Sequence, residues 1–321
     1  MRFLAVITGL LILLSSQVYA ADFKAAVSII PQKYLADKIT GGRFETMAVV
    51  GKGSNPHNYE PKPQQMVFIS KAQVYFSIDL SFEDVWLEKL LSTNKNIIHV
   101  DCADAVPRYP IPGEIIEPDE HGHEHGEEHD HDHEHGEDEH HHDHEHGEEE
   151  HHHDHDHSGL DPHIWLSPMN MKIMAKLMAN TFSEIDPAGK SVYDANLSAL
   201  LKEIDTADAR IRENLKGVPK DSPFMVFHPS WGYFARKYNL RQVAVEVEGK
   251  EPKPAQLQEL IGYAKERGIK VVFVQPQFSK KSAQAIASSI GGEVAELDPL
   301  AYEWSSNLIH VSEVLGKVLK K

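Results

Sequence analysis

One cysteine, Cys102, in 321 residues is the sharpest shortage in this chain. A single thiol excludes any intrachain disulfide and any zinc cluster built from thiolates. No basic stripe runs along the sequence, which argues against nucleic acid as a partner. Past the first twenty residues no apolar run is long enough to span a bilayer, so no membrane insertion is expected. The length suits two domains, each with room for its own core.

Histidine is what the chain has in excess. Of its 22 histidines, 17 fall within residues 119–157, together with 18 Asp and Glu, 4 Gly and nothing else. The formal charge of −17 is therefore almost wholly local to that tract. With no apolar side chain to bury, the tract has nothing to offset the entropy of ordering, and disorder is expected. Runs such as His151-His152-His153-Asp154-His155 put several imidazoles within a few residues. They suit weak capture of zinc, nickel or copper with little selectivity, because no geometry is preset. A solvating acidic linker is the plainer alternative, but it does not call for histidine.

The N-terminus reads as an address. Arg2, the apolar run Phe3 to Leu14 and Ser15-Ser16-Gln17-Val18-Tyr19-Ala20 have the layout of a secretory signal peptide cut after Ala20. No cysteine follows the run, so no lipid anchor is expected. The mature protein is expected in the periplasm, if the cell has one.

From there the chain alternates strand and helix patterns. Strands are predicted at 25–30, 45–50, 74–78 and 96–100, with helices at 32–39, 63–70 and 82–91 between them. After the tract come helices at 168–185 and from Pro187 to about Lys216, with Pro187 in the first turn and Gly217 just past the end. Met171, Met174 and Met178 fall on one face and read as core. The alternation then restarts, with strands at 224–227, 242–247, 270–275 and 293–297 and helices at 231–238, 254–267, 281–290 and 305–319. This pattern predicts an α/β protein of two lobes, each with a mostly parallel sheet flanked by helices, joined by one long helix. The expected division is a leader at 1–20, a first lobe at 21–165, connecting helices at 166–217 and a second lobe at 218–321. Parallel sheets bind ligands at the carboxyl ends of their strands, which places the site in the cleft between the lobes.

Five histidines lie outside the tract. His57 (in Asn55-Pro56-His57), His163 (in Asp161-Pro162-His163-Ile164-Trp165) and His228 (in Phe227-His228-Pro229) each sit at a strand end or loop beside proline. Asp298 ends a predicted strand in Leu297-Asp298-Pro299 in the same way. Three imidazoles and one carboxylate make a closed tetrahedral site that suits zinc, whereas a carboxylate-richer set suits manganese. Imidazole binds metal only when neutral, so affinity is expected to fall as pH drops through the histidine range. A loop histidine can equally be a solvated side chain. That plainer reading fits His310, on the last helix, and His99, inside a strand, better than a ligand role does. Cys102 reads as a small buried residue.

On these motifs the chain resembles the substrate-binding proteins of zinc ABC importers, the ZnuA type, whose lobes are joined by a rigid helix. The resemblance covers about 24–321 and extends to Trp231-Gly232-Tyr233-Phe234 and Leu297-Asp298-Pro299-Leu300. It implies that His57, His163, His228 and Asp298 hold Zn²⁺, and that an ABC permease is the partner. Histidine in the third position points to the zinc branch rather than the manganese branch, which typically has glutamate there. A His/acid loop between the first two ligands is also typical. Two features depart from the pattern. The second lobe cannot form the disulfide that some relatives carry. Pro56 stands where some have an acidic residue, which leaves Asp298, or a water, as the fourth ligand. The protein is expected to act as a monomer with little hinge motion. Two rival classes remain at this point. One is a hydrolase using three histidines and a zinc-bound water, with Glu60 the nearest candidate acid or base. The other is a zinc buffer or surface adhesin without a transporter.

Overall fold

The computed structural model describes residues 23–111, 159–246, 252–278 and 280–320. The leader and the histidine tract lie outside the described residues. The first sheet is built from β1 (Phe23–Val27), β2 (Phe44–Ala48), β3 (Val74–Ser77) and β4 (Ile98–Asp101), crossed by helices α1 (Ile30–Thr40), α2 (Pro63–Ile69) and α3 (Ser81–Ser92). Helix α4 (Pro168–Ile185) follows, then the long α5 (Lys190–Asn214). The second sheet comprises β5 (Ser222–Val226), β6 (Leu240–Ala244), β7 (Val271–Val274) and β8 (Glu293–Glu296), with α6 (Gly232–Lys237), α7 (Pro254–Glu266), α8 (Lys280–Ser289) and the closing α9 (Trp304–Leu319).

All strand pairs are parallel, in the orders β2-β1-β3-β4 and β6-β5-β7-β8. The two lobes repeat one plan, as the alternating pattern predicts. Buried parallel strands carry apolar side chains on both faces, and β5 shows the consequence. Phe224 and Val226 point into a core shared with the first lobe, while Met225 and Phe227 point into a second core beneath α7 and α8. The larger core runs without a break from Val27 and Phe76 through Met174, Met178 and Ile204 to Trp304 and Leu315. Met171, Met174 and Met178 of α4 are core, as their spacing indicates, whereas Met169 in the first turn is exposed.

Helix α5 is 25 residues long, about 37 Å at 1.5 Å per residue. It packs against α1 and α4 on one side and α9 on the other, so it belongs to both lobes. As expected, the helical segment starts at Pro187, with one tight turn, Pro187–Gly189, leading directly into the α-helix. A Cβ at Gly189 would lie 2.5 Å from the side chains of Asp186 and Tyr193, so glycine suits the close packing at this turn. Gly217, at φ +85°, turns the chain away just beyond the other end.

Candidate metal centre

Each candidate ligand is delivered by the chain just past a strand end or just before a helix. His57 lies beyond β2 in a tight turn, Pro56–Asn58, where Asn55 Oδ1 accepts its backbone N–H at 2.9 Å. His163 precedes the turn Ile164–Leu166 and α4, and its N–H donates to Asp161 Oδ1 at 3.0 Å. His228 follows β5, and Gln275 grips its backbone, with Nε2 donating to the His228 carbonyl at 2.7 Å. Prolines beside all three limit the backbone further.

The three imidazoles converge. Nε2 of His57 lies 3.0 Å from Nε2 of His228, which lies 3.3 Å from Nε2 of His163. Among the described residues, these three form the group whose ligand atoms all lie within 4.8 Å of one another. Two nitrogens bound to one tetrahedral zinc at about 2.0–2.1 Å are roughly 3.3–3.4 Å apart. The observed spacings are at or just below that value.

The far side of each ring is also held. His163 Nδ1 is 2.8 Å from Asp161 Oδ1, His228 Nδ1 is 2.7 Å from Glu246 Oε2, and His57 Nδ1 is 3.4 Å from Ser81 Oγ. A carboxylate only accepts, so His163 and His228 carry their proton on Nδ1 when neutral and turn a bare lone pair inward from Nε2. Burial leaves His163 only 3% and His228 only 8% exposed. It lowers the pKa of His228 and, with repulsion from its two neighbours, that of His57 to about 2. Those two rings therefore stay neutral to lower pH than ordinary histidines. Phe278 stacks on His228 at 4.8 Å, and Trp165 lies 5.3 Å from His163, walling the cavity with apolar rings.

Asp298 stands differently. It lies beyond β8, half-buried, and is not in the close group formed by the histidines. Its Oδ1 accepts from Gln277 Nε2 at 3.2 Å and from the Leu300 N–H at 2.9 Å. Glu60 and His310 are exposed, and Cys102 is fully buried with its thiol pushed up to about 12. His99 Nε2 meets Ser77 Oγ at 2.8 Å across β3 and β4, a structural contact. Sequence reasoning missed Asp161, Glu246, Ser81, Gln275 and Gln277. Asp161 had a local signal, two residues before His163. Glu246 had none, because only the pairing of β5 with β6 brings it to His228.

Residues 26–308 match the family described as zinc-uptake complex component A, periplasmic (ZnuA). The chain belongs to the ZnuA family. A crystal structure of a ZnuA has the same fold, with a TM-score of 0.75 and 37% identity over 92% of this chain and 98% of that one. The high-affinity zinc uptake protein ZnuA of Brucella abortus is 34% identical over 146 residues, 44% of this chain. That match spans 43% of the Brucella protein, less than half of its length. A manganese-binding lipoprotein, MntA of Halalkalibacterium halodurans, is 23% identical over 262 residues, 81% of this chain and 73% of its own. ZnuA proteins are solute-binding components of transport systems, and the two-lobed plan with its long joining helix is the plan of the family.

Proposed function

We propose that this chain binds Zn²⁺ between its lobes and delivers it to the membrane permease of an ABC importer. The observation that carries this reading is the pair of inward lone pairs on His163 and His228, 3.3 Å apart, with His57 closing the third side. Lone pairs at that distance repel each other unless a cation lies between them, and the carboxylates behind the rings raise their basicity toward such a cation.

Zinc fits the set better than manganese does, because the donors are nitrogenous rather than carboxylate-rich. The fourth position falls to Asp298 or to a water. The protein would work in the periplasm after loss of residues 1–20, as a monomer, with the 119–157 tract gathering metal near the cleft. Carriage is favoured over hydrolysis by the placement of the acids. Asp161 and Glu246 are committed to ligand imidazoles, and Glu60 is exposed.

Crystals grown with equimolar zinc and manganese, measured across the zinc absorption edge, test the reading. Anomalous density for zinc among His57, His163 and His228 is expected. Manganese there, or no ion, overturns it. Co-purification with a permease under zinc starvation tests the delivery step.

A further inference from the structure

The loop after β7 reaches two candidate ligands at once. In the second sheet β7 lies between β5 and β8, so residues 275–278 lie between the strand leading to His228 and the strand leading to Asp298. Gln275 grips the His228 backbone and Phe278 stacks on its ring. Gln277 turns the other way. It lines the cavity with the three histidines and donates from Nε2 to Asp298 Oδ1 at 3.2 Å.

The remaining atoms of that pair show what the contact is for. A carboxylate accepts only, so Gln277 must present its nitrogen to Asp298 and not its oxygen. Its Oε1 is then buried with no hydrogen-bond partner among the described residues. Leaving a buried acceptor unsatisfied costs free energy. Turning the amide over would bring Oε1 against the Asp298 carboxylate and lose the contact. The fold keeps the contact and tolerates the orphan. Oδ1 of Asp298 also receives the Leu300 N–H, so two donors occupy the same oxygen.

We propose that Gln277 is the positioning residue for the fourth coordination position, fixing Asp298 through Oδ1 so that only Oδ2 is left to close on a cation held by His57, His163 and His228. This rests on the reading of the cleft as a zinc site. One oxygen added to three nitrogens gives the four ligands that zinc takes. A carboxylate free to chelate with both oxygens favours ions of higher coordination number. Gln277 thereby helps the site prefer zinc over manganese.

The test uses the full chain with Gln277→Met, and Gln277→Leu as a second variant, since both keep bulk and remove the donor. Zinc affinity is measured by chelator competition, and the Co²⁺-loaded protein gives an optical spectrum that reports coordination number. Zinc affinity is expected to fall about 10–100-fold. The cobalt bands are expected to lose the intensity of a four-coordinate tetrahedral ion, with the metal-free melting temperature unchanged. Wild-type affinity and a wild-type cobalt spectrum overturn the proposal, as does a lower melting temperature with an unchanged spectrum. His228→Ala separates the two levels. If it keeps wild-type affinity, the zinc-site reading has failed; if it loses zinc while both Gln277 variants bind normally, only the role of Gln277 has.

Discussion

Nδ1 of His228 lies 2.7 Å from Oε2 of Glu246, and both side chains are buried together. The carboxylate fixes the tautomer that leaves Nε2 free and makes that nitrogen a better donor. Glu246→Gln keeps the shape but removes the charge, and its amide can turn an N–H toward Nδ1 and favour the wrong tautomer. Zinc affinity should fall by about 10–100-fold. Competition with a chelator of known strength measures this, and affinity equal to wild type would show that Glu246 does not tune the ligand.

Trp165 ties the segment of one candidate ligand to that of another. Its indole N–H donates to the Pro299 carbonyl at 2.7 Å, one residue past Asp298, and its own carbonyl accepts from Trp304 Nε1 at 2.8 Å. Both rings are fully buried. Trp165→Phe strands the Pro299 carbonyl, at a cost of about 1–3 kcal/mol before any cavity is counted. A denaturant midpoint lowered accordingly, with weaker zinc binding, is the expected result.

The joining of the lobes goes beyond one helix. Tyr34 of α1 meets Ser305 of α9 at 3.1 Å, and Tyr302 donates to Asp37 of α1 at 2.8 Å. With the core continuous behind them, the lobes have little freedom to rotate. Small-angle scattering should give the same radius of gyration for metal-free and zinc-loaded protein. A clear contraction on loading would contradict this.

The alternation of short β-rich runs with helical patterns made both sheets and the linking helix legible, since the inner strands β1, β3, β5 and β7 are mostly buried and the helices bury one side. The edge strands β4 and β8 are more exposed. Strand edges were less legible. Expected to start at Phe224, β5 begins at Ser222 and runs through Pro223, which pairs only with β6, before pairing with β7 starts at Met225. Local context also marked His57, His163 and His228, because proline beside a strand end leaves a trace in the chain. The groups behind them leave none. Glu246 comes to His228 from the neighbouring strand, and Gln277 comes to Asp298 across the end of the sheet. Such partners are set by tertiary pairing, which one-dimensional spacing does not encode.

Glu83 gives the fold a pH dependence of its own. Its carboxylate accepts from the Ile78 N–H at 3.1 Å, the Leu80 N–H at 2.8 Å and the Ser28 hydroxyl. Burial nonetheless outweighs these donors and raises its pKa from 4.5 to about 7. Below pH 4.5 the group is protonated in folded and unfolded chains alike. Between 4.5 and 7 the folded state holds a proton that the unfolded state releases, so stability falls as pH rises, by roughly 3 kcal/mol across the window. Above 7 the loss is complete. Glu83→Gln should flatten this part of the profile, so the difference between variant and wild type in urea melts of metal-free protein should grow from pH 5 to pH 8. A difference that does not change with pH would place the Glu83 pKa at its ordinary value.

The described segments on either side of the histidine tract, residues 109–111 and 159–161, are held together beside the candidate metal centre. Ile111 N–H donates to the Gly159 carbonyl at 3.2 Å, Asp161 N–H donates to the Tyr109 carbonyl at 2.8 Å, and Pro110 and Leu160 form an antiparallel bridge. Asp161 is also the residue that orients His163. The Tyr233 hydroxyl fastens the same base from the second lobe, donating to the Asp161 carbonyl at 3.1 Å and accepting from the Tyr109 N–H at 3.3 Å. Residues 109–111 and 159–161 are thus held to each other directly, so a short turn can replace 119–157 without moving Asp161 or His163. The shortened protein should bind fewer zinc ions in total by elemental analysis. Titration calorimetry should still show one tight site of wild-type affinity. Loss of that site would mean that the tract itself supplies a ligand to the ion in the cleft.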